Sequence, residues 1–82
     1  MQQSQYKTSG ETMSTASNVK ENIIRLRKKK KWSQVTLSQL SYVSQGTISK
    51  IEKGLLKPDL DALDRLAKAF GIAVSKLIQK HP

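Results

Sequence analysis

Residues 33–54 read SQVTLSQLSYVSQGTISKIEKG, and this stretch decides the fold. Ser33 and Ser44 are of the residue type that accepts a hydrogen bond at the start of a helix, and apolar residues at helical spacing follow each of them. The first serine predicts a short helix over residues 34–41, and the second predicts another over residues 45–53. The side chains expected to face inward are Leu37, Ile48 and Ile51. Two short helices are therefore predicted to meet across a tight turn.

The sequence upstream predicts one longer helix behind an arm. Asn18 followed by Glu21 has the spacing of a capping box, and apolar residues then recur at helical spacing, which predicts a first helix over residues 19–30. Residues 1–17 are rich in Gln, Ser and Thr and offer little to bury, so we expect a flexible arm there. The folded domain is expected to span residues 18–82.

Downstream, two further helices complete the predicted domain. Pro58 and Asp59 open a fourth helix, and Gly54 and Gly71 suit the left-handed residue that ends the third and the fourth helix. The apolar stripe of the fourth helix is Leu60, Leu63, Leu66, Ala67 and Phe70. Residues 74–80 add a fifth helix. Five helices with short connections predict a compact all-α bundle.

The net charge favours a polyanionic partner. Lys and Arg number 15 against 6 Asp and Glu, which gives a charge of +9. Such an excess favours nucleic acid, with an anionic membrane surface as the competitor. Lys7 and Glu11 are the only charges in residues 1–17, so the excess lies on the predicted domain. Residues 32–49 are uncharged but too polar to span a bilayer, and no signal-peptide core is visible. We therefore expect a cytoplasmic, nucleoid-associated protein with no membrane partner.

The sequence lacks the residues that an enzyme of this size would need. It has no cysteine, a single histidine at His81, no glycine-rich phosphate loop and no cluster of metal ligands. We therefore expect no catalytic site, no metal and no cofactor.

A longer pattern runs through the predicted helices without a gap. Its first half is Leu26-Arg27, Ser33-Gln34, Leu37-Ser38, Val43-Ser44, Thr47-Ile48-Ser49-Lys50, Ile51-Glu52 and Gly54. Its second half is Pro58-Asp59-Leu60, Leu63 and Leu66-Ala67-Lys68-Ala69-Phe70-Gly71-Ile72. The pattern resembles the Cro/phage-repressor type of helix-turn-helix, also called the xenobiotic-response-element family, over nearly everything after Asn18. The resemblance implies a lambda repressor-like fold of five helices that binds double-stranded DNA.

The resemblance also implies that helix three reads bases in the major groove while helix two braces it. Gln45 can make a bidentate contact with adenine, and Gly46 leaves room for a thymine methyl group or for the DNA backbone. Lys50 can reach either guanine or a phosphate. The candidate base-reading residues are Gln45, Gly46, Thr47, Ser49 and Lys50.

Phosphate contacts are expected around that helix. By resemblance, Gln34 lies at the start of helix two, where exposed backbone N–H groups favour an anion. Lys57 follows the recognition helix, and Tyr42 stands in the turn, where its hydroxyl can hydrogen-bond a phosphate. Ser44 caps helix three and can also touch the DNA backbone.

Arg27 and Glu52 look like the internal ion pair of the family, which joins helix one to the end of the recognition helix. Such a pair is architectural. The alternative, in which Arg27 faces DNA, would leave Glu52 near phosphates without a compensating charge.

Several positions depart from the family pattern. Lys31 and Tyr42 stand where glycine is common, and a left-handed conformation would cost each about 1 kcal/mol. Ala73 replaces the usual capping Ser or Thr, so the fifth helix is expected to begin weakly. The apolar residues at positions that are usually polar are Ile24, Val35 and Leu40. They offer either apolar surface to a partner or a scatter of single exposed residues.

We expect a transcriptional repressor that binds its operator as a homodimer, because two half-sites about one helical turn apart raise specificity. The dimer surface is expected around helices four and five. The alternative is an antitoxin-type module on the same scaffold. Such a module would bind a toxin protein through Leu55, Leu56 and other exposed apolar residues while it represses its own operon.

Overall fold

The computed structural model describes residues 9–81, and the regular structure in this range is entirely helical. The helices are α1 Ser9–Lys29, α2 Gln34–Ser41, α3 Gln45–Glu52, α4 Leu60–Phe70 and α5 Val74–Ile78. The predicted all-α architecture of five helices is therefore confirmed. Within residues 9–81, no helix is long and apolar enough to cross a membrane.

The first helix begins at Ser9, ten residues before its predicted start. Asn18 does not cap it, because the Asn18 side chain lies inside the helix and its Nδ2 donates to the carbonyl of Ile78 at 3.2 Å. Helix thus extends into the predicted flexible arm. The remainder of that arm, residues 1–8, lies outside the described residues, so the division of the chain at residue 17 stays a prediction.

The helix ends that bound α2, α3 and α4 follow the sequence signals. Ser33, Ser44 and Asp59 each accept a hydrogen bond from the backbone N–H three residues later, so the N-caps predicted at Ser33 and Ser44 are confirmed, and Asp59 is the N-cap of α4. Gly54 and Gly71 take the left-handed conformation after α3 and α4. Ala73 begins α5 without a side-chain hydrogen bond, as its residue type predicts.

The core draws side chains from all five helices. Its buried members are Val19, Ile23, Leu37, Val43, Ile48, Ile51, Leu66, Ala67, Phe70 and Leu77. Leu60 was predicted to join the apolar stripe of α4, but its side chain is exposed. It is the first residue of the helix and lies at the edge of the stripe, so no neighbouring helix covers it.

Two side-chain contacts fix the ends of the bundle. Trp32 stacks on Phe70 with ring centroids 5.7 Å apart, which attaches the α1–α2 turn to α4. At the other end, Asn22 is buried and its Nδ2 donates to the carbonyls of Leu77 (2.7 Å) and Gln79 (2.8 Å). These bonds occupy carbonyls at the end of α5, which stops at Ile78 rather than at the predicted Lys80.

Candidate nucleic-acid interface

The N-termini of α2 and α3 lie side by side. Gln34 and Gln45, the first residues of the two helices, are joined by a hydrogen bond from Gln45 Nε2 to Gln34 Oε1 at 3.3 Å. Gln34 Nε2 in turn donates to Glu52 Oε1 at 3.1 Å. The start of α2 is thereby bonded to both ends of α3.

Arg27 completes this network from α1. Its Nε and Nη2 donate to the two carboxylate oxygens of Glu52 at 2.8 and 2.9 Å, and its Nη1 donates to the Trp32 carbonyl at 2.9 Å. The Arg27 and Glu52 side chains are 15% and 8% exposed. This bidentate pair fixes both side chains in one geometry and links α1, the α1–α2 turn and the last residue of α3.

The electrostatics of Glu52 follow from these partners. Burial on its own raises the pKa of Glu52, but the hydrogen bonds from Arg27 and Gln34, with the charges of Arg27 and Lys28, outweigh it and lower that pKa below its ordinary value. The hydrogen bond to Glu52 likewise raises the pKa of Arg27. Glu52 is therefore a carboxylate at neutral pH, with its charge compensated inside the protein.

The outer face of α3 is polar. Ile48 and Ile51 are buried, and the helical repeat places Gln45, Gly46, Ser49 and Lys50 on the opposite side. Gln45, Gly46 and Lys50 are exposed, whereas Thr47 and Ser49 are half-buried. Four of the five predicted base-reading residues therefore share one face, and Thr47 lies at its edge.

The fold has counterparts among known proteins. The family model for the helix-turn-helix matches residues 23–77, which is more than half of the chain. The chain belongs to the helix-turn-helix family. As a Cro/repressor-type member it is a DNA-binding protein.

A solved structure agrees with this assignment at the level of the fold. The helix-turn-helix chain is similar to a hypothetical transcription factor, NHTF, from Neisseria, whose crystal structure it matches with a TM-score of 0.76. The two sequences are 23% identical, and the match covers 80% of this chain and 76% of the other. No curated protein matches the chain.

Gly46 lies at the centre of the outer face of α3. A Cβ atom added there would meet nothing within 4 Å, and the glycine does not adopt a positive φ. Glycine is a poor helix former, so neither packing nor backbone conformation in the free protein explains its presence. What the glycine provides is a gap on the surface of the helix.

The predicted phosphate-binding residues differ in how far their polar groups are already hydrogen-bonded within the protein. Ser44 Oγ accepts from the Thr47 backbone N–H at 3.2 Å and donates to Thr47 Oγ1 at 2.8 Å, so its hydroxyl proton is already engaged. Gln34 is half-buried and shares its amide between Glu52 and Gln45. Tyr42 is 82% exposed, so most of its side chain is accessible to solvent.

Lys57 is exposed on the connection between α3 and α4. It lines a groove of about 270 Å³ together with Ala16, Lys20 and Leu56. The lysine therefore stands beside α1, near the C-terminal end of α3. No group of His, Cys, Asp or Glu within the described residues is arranged to hold a metal ion.

Two side-chain hydrogen bonds were not predicted from the sequence: the one between Gln45 and Gln34 and the one between Gln34 and Glu52. A signal for the first was present: Ser-Gln-Val-Thr at residues 33–36 recurs as Ser-Gln-Gly-Thr at residues 44–47. The same motif at two successive helix starts gives the same N-cap hydrogen bond at each. The turn between them then determines that the two glutamines meet.

Proposed function

We propose that this helix-turn-helix protein is a transcriptional repressor that reads an operator half-site in the major groove with α3 and occupies its operator as a dimer. Such a protein acts on chromosomal DNA, and we expect it at the nucleoid. The observation that carries the proposal is the exposed Gln45 amide, which is held at the start of α3 by Gln34.

The bracing of Gln45 supports direct readout of a base. One N–H of its amide donates to Gln34, which leaves a second N–H and Oε1 available to an adenine edge. Gln34 is itself held by Glu52, and Glu52 by Arg27. An amide held in place before DNA arrives loses less side-chain entropy on binding than a free one.

Around Gln45, the other side chains on this face supply complementary contacts. Gly46 makes room for a thymine methyl group, Thr47 and Ser49 offer hydroxyls, and Lys50 reaches guanine or a phosphate. We expect phosphate contacts from four residues around this face: Gln34, Tyr42, Ser44 and Lys57. Such contacts set the register of the helix on the duplex. The backbone N–H groups at the N-terminus of α2 favour an anion independently of the Gln34 side chain.

Two copies are required for a site of useful length. One recognition helix reads a few base pairs, and a second copy related by a two-fold axis reads another half-site about one helical turn away. Inverted-repeat symmetry of the operator follows from the symmetry of the dimer. Repression then results from occupancy of a promoter.

The test is selection of binding sites from random duplexes, followed by affinity measurements on the selected operator and on a scrambled duplex over a salt series. We expect an inverted repeat and a binding constant that falls steeply with salt concentration. Lys57→Gln should weaken both duplexes alike and reduce the salt slope by about one unit, while Lys76→Gln on α5 is the matched control. Failure to enrich any sequence would refute sequence-specific readout.

Whether occupancy represses is a separate measurement. A reporter promoter that contains the selected site should be silenced by the wild type and not by Gln45→Ala. Activation of the reporter, or no change in its output, would contradict the repressor assignment while leaving DNA binding intact.

A further inference from the structure

Three exposed leucines lie on the connection between α3 and α4 and at the start of α4. Leu55, Leu56 and Leu60 are 73%, 41% and 74% exposed and lie within six residues of one another. No large hydrophobic residue of α5 is exposed to this degree in the described structure; Val74 and Ile78 are packed against the core. We refer to Leu55, Leu56 and Leu60 together as the leucine patch.

The leucine patch lies in the part of the chain that does not share the overall positive charge. Residues 55–70 contain three basic and three acidic side chains, whereas the whole chain carries +9. Two copies of a strongly basic protein repel each other over most of their surfaces. They approach without that penalty where the charges balance.

We propose that the leucine patch is the contact between two copies of this chain on DNA. The proposal rests on the dimeric binding proposed above and places the contact beside the C-terminal end of α3, rather than at α5. The patch follows directly on the recognition helix, so a contact there controls the distance between the two recognition helices and thus the spacing of the half-sites.

The flanking charges favour a second copy over an unrelated partner. In chain order the basic Lys53 and Lys57 come before the acidic Asp59 and Asp61, and all four side chains are exposed. A two-fold axis through the leucines brings the basic side of one copy toward the acidic side of the other, and the reverse contact forms at the same time. A surface that carries positive and negative side chains in this arrangement is complementary to the same surface of a second copy.

The size of the patch determines when the dimer forms. Three leucines cover far less than the roughly 800 Å² per partner of a standard interface, so association in free solution is expected to be weak. Two copies on adjacent half-sites hold the patches at an effective concentration in about the millimolar range, and the DNA phosphates neutralise the repulsion between the basic surfaces. The contact then appears as cooperative binding.

The experiment compares one half-site duplex with a duplex that carries both half-sites of the selected operator. Leu55→Ser/Leu60→Ser should bind the single half-site within about two-fold of wild type and lose about ten-fold or more on the double site. Leu40→Ser, an exposed leucine on α2, is the matched control and should keep the cooperativity. Circular dichroism confirms that each variant is folded.

A charge variant provides an independent arm. Asp61→Lys removes an acidic side chain from the patch and adds positive charge, so it should tighten half-site binding while it reduces cooperativity. Glu21→Lys makes the same change of charge at an exposed position on α1 and should leave the cooperativity intact. A change in general DNA affinity alone would alter the binding of both duplexes and leave the cooperativity unchanged.

Sedimentation at high protein concentration and high salt tests the contact without DNA. We expect concentration-dependent self-association for wild type and its loss in Leu55→Ser/Leu60→Ser. Wild type that stays monomeric in this assay and binds both half-sites independently overturns the inference, even if half-site recognition holds. Cooperativity that survives the double leucine variant also overturns it. If no DNA sequence is selected, the proposed function fails, and the sedimentation result alone decides the inference.

Discussion

Residues 31–37 and 42–48 adopt the same local shape but present different surfaces. In each, a left-handed non-glycine residue (Lys31, φ 60°; Tyr42, φ 61°) is followed by an apolar residue and a serine N-cap. The serines accept from the N–H of Thr36 and Thr47 at 3.0 and 3.2 Å. The two helix starts therefore share one capping geometry.

The surroundings separate their roles. Gln34, the first residue of α2, is half-buried between Glu52 and Gln45, whereas Gln45, the first residue of α3, is exposed with one side-chain partner. Val35 follows the first glutamine, and Gly46 follows the second. The same residue in the same geometry thus acts as a brace in one helix and is available to a ligand in the other, because the carboxylate of Glu52 engages Gln34.

The largest expected effect comes from removing the ion pair that packs against the first start. Arg27→Ala leaves Glu52 as an uncompensated, nearly buried charge, and we expect it to destabilise the fold by about 3 kcal/mol. Arg65→Ala is the matched control, since its pair with Asp61 is exposed, and it should cost less than about 0.5 kcal/mol. Urea unfolding of both variants measures the difference. Equal losses would show that the two pairs are energetically alike.

The same pair predicts a dependence on pH. Because the pKa of Glu52 is lowered in the folded state, its contribution to stability is complete above the ordinary carboxyl pKa and is lost as pH falls through the lowered value. The stability gap between wild type and Glu52→Gln should therefore narrow as the pH is lowered below about 4. A gap that stays constant down to acid pH would contradict the ion-pair account.

The second effect concerns the two glutamines on DNA. Gln45→Ala should cost about 1–3 kcal/mol on the selected operator, relax preference at one base pair and leave the scrambled duplex nearly unaffected. If Gln34 acts as the brace, Gln34→Ala reproduces part of this loss, and the double variant loses less than the sum of the single ones. If Gln34 acts only on a phosphate, its loss is equal on both duplexes and adds to that of Gln45→Ala.

The third effect has opposite signs in the free protein and on DNA. Gly46→Ala should stabilise the fold by about 0.5–1 kcal/mol, because alanine is the better helix former and its Cβ meets nothing. It should also weaken operator binding if DNA occupies the gap. Val35→Ala changes the equivalent position of α2 and should alter both quantities little. Unchanged operator affinity in Gly46→Ala would show that the gap is unused.

The smallest effect tests the left-handed residues. Lys31→Gly and Tyr42→Gly should each stabilise the fold by up to about 1 kcal/mol, since glycine adopts φ near 60° without a steric penalty. Tyr42→Gly should in addition weaken all duplexes if its hydroxyl binds a phosphate. Thermal unfolding and binding to the scrambled duplex measure the two quantities. Destabilisation by either glycine would mean that the native side chain makes contacts that outweigh the strain.

Local signals account for the parts of the fold that the sequence predicted. The serine caps, the terminal glycines and the apolar spacing are each contained within a few residues, and they located α2, α3 and most of α4. Asn18 shows where such signals fail: its spacing to Glu21 indicates a cap, yet its amide bonds to Ile78, sixty residues away. Sequence spacing alone does not reveal a partner that only the tertiary fold brings near.

The candidate site likewise has features that local sequence signals predict and features that only the tertiary fold determines. Periodicity is sufficient to place Gln45, Gly46, Ser49 and Lys50 on one face of α3. The hydrogen bond between Gln34 and Glu52 depends instead on tertiary packing, because Arg27 on α1 also binds the Glu52 carboxylate. The exposure of Leu60 depends likewise on which helices pack beside the start of α4. The roles of these residues of α3 and of Gln34 as DNA contacts stay predictions.

The buried amide of Asn22 has a consequence for how the domain is made. Its partners, the carbonyls of Leu77 and Gln79, lie 55 and 57 residues further along the chain. A five-residue helix such as α5 is too short to persist in water by itself. During synthesis, the Asn22 Nδ2 group therefore stays hydrogen-bonded to water until residues 77–79 have left the ribosome. Completion of the bundle is expected to be a late step, gated by the arrival of the last helix.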